Sequence, residues 1–116
     1  MSTDADPEAV LALLGEQRVR EILVATSREP LSAAQLSEEC DVAVSTIYRR
    51  VEEMSDVDLL VERTQIEPDG SHHSVYEANV DHLDVDIDDG SIDVEMHVRE
   101  DAAERFSRIW EDIRDT

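Results

Sequence analysis

The side chains best suited to chemistry gather in one stretch, CDVAVSTIYRRVEEM, from Cys40 to Met54. Ser45, Thr46, Tyr48, Arg49 and Arg50 put hydroxyls and two guanidinium forks close together. Such groups meet base edges and phosphates, and Arg is suited to two-pronged contact with guanine or phosphate. Other candidates are sparser. Asp69, His72 and His73 could make a weak metal site or a phosphate contact, and a solvated loop tip fits them equally. His82 and His97 fall on the polar side of alternating segments, where surface placement is the default. Cys40 is the single cysteine, which excludes an intramolecular disulfide and a cysteine-rich zinc site. It reads as a small buried hydrophobe rather than a redox or metal switch. Among 30 acidic residues, chance carboxylate pairs abound and carry no catalytic signal. No Ser-His-Asp set or cofactor motif stands out, so the expectations are no enzyme, no cofactor and no metal.

The elements that must position these residues can be read from periodicity and punctuation. Asp6 and Pro7 suit the cap and first turn of a short helix with a stripe of Val10, Leu13 and Leu14, ended by Gly15. EQRVREILVATS continues as a second helix with Val19, Ile22, Leu23 and Thr26 on one face, stopped by Pro30. Ser32 and Gln35 make a capping box for a third helix in which Leu36 and Cys40 face inward. After the turn DVAV, Ile47, Val51 and Met54 set the buried face of a fourth helix. Ser45, Thr46, Tyr48 and Arg49 are then left outside and Arg50 at the margin.

The pattern next changes to strands. LLVERTQIE and SVYEANV flank the loop PDGSHH. In a second hairpin Leu83, Val85 and Ile87 alternate with acids, as do Ile92, Val94, Met96 and Val98 with polar residues. An Asp89-Gly90 turn would pair Ile87 with Ile92, Val85 with Val94 and Leu83 with Met96, all on one face. A terminal helix would carry Ala102, Phe106, Ile109, Trp110 and Ile113. The expected organisation is one domain over 1–116, with a helix-turn-helix at about 32–54 and a wing at about 59–80. A second hairpin at about 83–98 and a C-terminal helix at about 100–114 complete it.

This order of helices and hairpin is that of an α+β winged helix-turn-helix, whose fourth helix here would enter the major groove. SAAQLSEECDVAVSTIYRRVEEM followed by DLLVERTQIEPDGSHHSVYEA resembles the ArsR-like winged-helix regulators of haloarchaea, over roughly positions 8 to 98. The resemblance implies DNA-facing roles for Ser45, Thr46, Tyr48, Arg49 and Arg50. It also implies a wing role for Arg63 and a wing-tip role for His72 and His73. A homodimer built by terminal helices is implied too, with Phe106, Ile109, Trp110 and Ile113 at the interface. Four positions depart from the pattern. Asp41 and Asp58 stand where Gly is common, and Asp tolerates the left-handed conformation. Ala43 stands where a Ser often caps the reading helix, and Val44 where a polar residue is frequent.

The net charge of −20 opposes approach to a polyanionic partner. All 10 basic residues are Arg and the acids are spread along the chain, a composition that looks like a cytoplasmic haloarchaeal protein. No apolar run approaches the ~18 residues of a membrane helix, and MSTDADPE lacks the parts of a signal peptide. At molar salt the Debye length is roughly 3 Å, so long-range repulsion from DNA is largely screened. Salt cations bridging acids to phosphates would help. The expected function is a homodimeric, sequence-specific transcription regulator on double-stranded DNA, a repressor by promoter occupancy in the simplest case. The alternative is a winged-helix module whose acidic surface binds a basic protein and no longer reads DNA.

Overall fold

The computed structural model describes residues 2–99. The expected C-terminal helix and its stripe of Phe106, Ile109, Trp110 and Ile113 lie outside the described residues.

Four helices come first. α1 (Pro7–Leu14) is capped by Asp6, whose carboxylate accepts from the Glu8 backbone N–H, and Pro7 takes the first helical position. α2 (Gln17–Arg28) buries Val19, Ile22, Ala25 and Thr26. Thr26 is fully buried yet satisfied, since its hydroxyl donates to the Ile22 carbonyl at 2.8 Å. α3 (Ala33–Cys40) opens on the expected capping box, with Ser32 and Gln35 each closing the other's backbone N–H. α4 (Val44–Asp56) begins one residue before the Ser45 start expected for it and buries Ile47, Val51 and Met54.

The connections use the special backbone conformations the sequence suggests. Asp41 ends α3 with φ 55° and Asp58 follows α4 with φ 64°, both left-handed. Short Asp side chains tolerate this region where bulky ones do not.

Two antiparallel sheets follow. β2 (Leu60–Ile66) pairs with β3 (His72–Ala78), and an isolated bridge from Leu31 to Tyr76 extends that ribbon toward the helices. β4 (Val80–Asp88) pairs with β5 (Ser91–Val98) in the expected register: Ile87 faces Ile92, Val85 faces Val94 and Leu83 faces Met96. Asp89 and Gly90 both have positive φ, as a two-residue hairpin turn requires. A register shift between Val80 and His82 keeps Val80 and Leu83 on the inner face although they are three apart.

β1 (Ser2–Ala5) was not expected. It pairs with the free side of β5, so the second hairpin is part of a three-stranded sheet ordered β1-β5-β4. STDA carries no strand pattern; the pairing is made by tertiary context rather than by propensity.

One apolar cluster joins all of this. It runs from Val10 and Leu13 through Val19, Ile22, Leu36, Ile47, Val51 and Met54 to Tyr76, Val94 and Met96. Asn79 is the joint between the sheets. Its side chain donates to the Asp58 carbonyl, its backbone N–H donates to Leu59, and its carbonyl accepts from Arg99. The apolar face of the β4–β5 hairpin is buried only near its base. Val94 and Met96 are covered, whereas Val85, Ile87 and Ile92 are exposed.

Candidate nucleic-acid interface

The second helix of the helix-turn-helix is held from beneath and from both ends. Ile47, Val51 and Met54 anchor it, each no more than 2% exposed. The turn before it is fixed by the Ser37 hydroxyl, which donates to the Val42 carbonyl. Arg18 of α2 donates to the Cys40 carbonyl at 2.8 Å and pairs with Glu21 at 2.7 Å, which ties α2 to the end of α3. With the inner face fixed, helical geometry presents Ser45, Thr46, Tyr48 and Arg49 outward, and all four are exposed. Ala43 caps α4 with its backbone alone, and no side chain bonds the first turn. Those first N–H groups carry the positive end of the helix dipole, where an anion is favoured.

Arg49 and Arg50 are not equivalent. Arg49 is 73% exposed and its Nε lies 3.7 Å from Glu53. Arg50 is 20% exposed, bonds Glu16 at 2.7 Å and Glu53 at 3.1 Å, and thereby bolts α4 to the start of α2. The Arg50 Nε is buried without a partner, so the guanidinium is committed inward.

Arg63 sits on β2 opposite Val75, and its Nε is 3.7 Å from Glu77. His72 and His73 do not form the wing tip, which corrects the expectation for them. They begin β3, paired with Ile66 and Gln65, because the turn closes earlier, through the Glu67 N–H to the Ser71 carbonyl and the Gly70 N–H to Glu67. As strand neighbours they point to opposite faces of the ribbon. Position 73 shares its face with Arg63, and position 72 does not. The Asp69 carboxylate is occupied by the Ser71 hydroxyl and N–H, which hold it below the usual carboxylate range. It does not join the histidines in a metal site; His73 pairs with Glu67 at 3.3 Å instead.

Tyr48 of α4, Ser32 and Ala33 at the start of α3, and His73, Ser74 and Tyr76 of β3 line one cleft of about 380 Å³. The reading-helix candidate and the wing are therefore adjacent walls of a single groove. Cys40 is half-buried, and burial, then the Glu21 carboxylate, pushes its thiol up, against the pull of Arg18. A thiol so placed is a poor nucleophile and a poor metal ligand.

The sequence reading missed one cluster. His82 and His97 are direct cross-strand partners on β4 and β5, and both reach Asp84. These bonds hold the Asp84 carboxyl below its ordinary range, His97 first and His82 second. The clue was present in the sequence: the Asp89-Gly90 register that sets Leu83 opposite Met96 also sets His82 opposite His97, and Asp84 lies two residues from His82.

A family model described as a helix-turn-helix domain matches residues 14–63, which span α2, α3, α4 and the start of β2. No curated protein matches the chain. With four helices leading into β-hairpins, the fold is that of a winged helix-turn-helix, and residues 14–63 are similar to a helix-turn-helix domain.

Proposed function

We propose that this protein is a sequence-specific transcription regulator that reads the major groove with α4. The observation that carries the reading is the exposed edge of Ser45, Thr46, Tyr48 and Arg49 on the second helix of the matched domain, held rigidly by Ile47, Val51 and Met54. The hydroxyls and Arg49 meet base edges, and the open first turn of α4 accepts a phosphate. Arg63 and His73, on one face of the wing, contact the backbone. Arg50 supports the helix from behind and contributes to DNA binding through position.

The protein acts as a homodimer, matching palindromic sites by two-fold symmetry. Support comes from the uncovered apolar end of the β4–β5 hairpin, Val85, Ile87 and Ile92, and from the stripe of Phe106, Ile109, Trp110 and Ile113 that follows the sheet in sequence. Repression by promoter occupancy is the simplest mechanism. Salt cations placed between the acidic surface and phosphates ease the approach of two polyanions.

The test is binding to DNA from the protein's own promoter against scrambled DNA of equal length, at ~2 M KCl where long-range repulsion is screened. Selective binding that is lost in Arg49→Ala or Thr46→Ala, with folding intact, supports the reading. Absence of selectivity for any fragment of a genomic library would defeat it.

A further inference from the structure

We propose that His82, Asp84 and His97 form a binding site for a divalent transition-metal ion of the Zn²⁺ class, on the polar face of the β4–β5 hairpin. The inference is independent of the DNA-reading surface.

The site is built by the strand ladder. His82 and His97 face each other across the two strands, with ring centroids 5.0 Å apart. Asp84 lies two residues along β4 from His82, hence on the same face, and is opposite Glu95. The His82 Nε2 is 2.8 Å from one Asp84 oxygen and the His97 Nε2 is 2.6 Å from the other. One donor atom from each of the three residues falls within 4.8 Å of the others. An ion bound at about 2.0–2.1 Å from each ligand needs donor atoms roughly 3 Å apart. The two imidazole–carboxylate spacings already lie near that, and a small rotation of exposed His82 closes the third. Glu95, 3.4 Å from the His97 Nε2, can supply a fourth oxygen or orient a water. His82 also borders an open cleft against Leu23, Val24 and Ser27 of α2, so water has room beside the ligand set.

The donor chemistry selects the ion. Two neutral imidazoles and one carboxylate suit Zn²⁺, Ni²⁺ or Co²⁺ and disfavour Mg²⁺ and Ca²⁺, which prefer oxygen alone. This separates the site from the acidic surface around it, which offers only carboxylates. On binding, the ion takes the Nε2 lone pair of each ring. The ring proton then sits on Nδ1, exchanged through solvent, so a neutral imidazole loses no proton. The ion bridges β4 and β5 beside the bulge.

The test is titration of the chelator-treated full chain with Zn²⁺, in ~2 M KCl with excess Mg²⁺ so that carboxylate-only binding is suppressed. About one equivalent per chain is expected, with affinity falling at least ~10-fold in both His97→Ala and His82→Gln. The same affinity should remain in His72→Ala/His73→Ala. Circular dichroism checks that each variant folds. Co²⁺ as a second probe should give visible absorption that His97→Ala abolishes. Three results would overturn the proposal: no Zn²⁺ binding above the Mg²⁺ background, wild-type affinity in His82→Gln and His97→Ala, or loss in the His72/His73 variant alone.

Discussion

Arg49 and Arg50 are neighbours in sequence and opposites in the structure. Arg50 is drawn inward by Glu16 and Glu53, while Arg49 stands in solvent with only a long contact to Glu53. Removing Arg50 therefore breaks a helix–helix brace, and removing Arg49 breaks nothing in the fold. Arg50→Ala should lower unfolding stability by about 1 kcal/mol, a figure already reduced for the exposure of its partners. Arg49→Ala should fall within about 0.5 kcal/mol of the wild type. Denaturant melts of the two single variants decide this, and equal stabilities would refute the brace. Glu53 serves both arginines, so its charge bears on DNA approach. Glu53→Gln frees Arg49 and removes an anion beside the proposed contact. DNA affinity near ~0.1 M KCl should rise roughly two- to fivefold, and the gain should fade at molar salt. Fluorescence anisotropy across KCl concentrations measures it. A constant gain at all salts would mean that Glu53 acts through packing rather than charge.

At the scale of elements, local chemistry sets the helix-turn-helix more than propensity does. The Ser32–Gln35 box starts α3, and left-handed Asp41 ends it. Ser32→Ala should cost about 1 kcal/mol by leaving a first-turn N–H without its acceptor. Asp41→Gly should stabilise by roughly 0.5–1 kcal/mol, because Gly adopts positive φ without the Cβ clash. Thermal melts at fixed KCl report both, and a destabilising Asp41→Gly would show that the carboxylate itself holds the turn. The elements legible in the sequence are those with such local determinants: the capping box, the α4 stripe of Ile47, Val51 and Met54, and the hairpin register fixed by Asp89-Gly90. Those not legible depend on partners distant in sequence. β1 is a polar tetrapeptide that becomes a strand only because β5 offers it an edge. The bulge between Val80 and His82 reflects the need to bury both Val80 and Leu83, and it shifts Val80 onto Val98. His72 and His73 were misplaced because the wing turn closes at Ser71, ahead of them. The exposed edge of α4 was legible from the helical period. The inward commitment of Arg50 was not, since Glu16 reaches it from another helix.

At the scale of the molecule, charge governs the conditions under which the fold is stable. Among the described residues every Arg is already engaged. Arg18, Arg28, Arg49, Arg50 and Arg63 pair with acids, and Arg20 and Arg99 donate to carbonyls. Most of the 30 acids therefore have no basic partner and repel one another through solvent. The hairpin concentrates the effect. Asp86 is paired directly with Asp93, and Asp84 with Glu95, and like charges set opposite each other on one face are destabilising. The imidazoles of His82 and His97 relieve the second pair, whereas Asp86 and Asp93 have no basic partner among the described residues. Screening relieves the first, since the Debye length shrinks from about 10 Å at 0.1 M salt to about 3 Å at 1 M. Melting temperature should accordingly rise with KCl, and Asp86→Asn should raise it at low salt while changing little at molar salt. Melting curves of the two proteins across KCl concentrations supply the test, with the salt-dependent convergence as its signature. Screening alone levels off once the Debye length is shorter than the cross-strand spacing. A melting temperature that keeps climbing well into the molar range, equally in both proteins, would mean that excluded salt or bound hydrated ions stabilise the acidic surface. Parallel curves that never converge would show instead that Asp86 acts on the hairpin by something other than its charge.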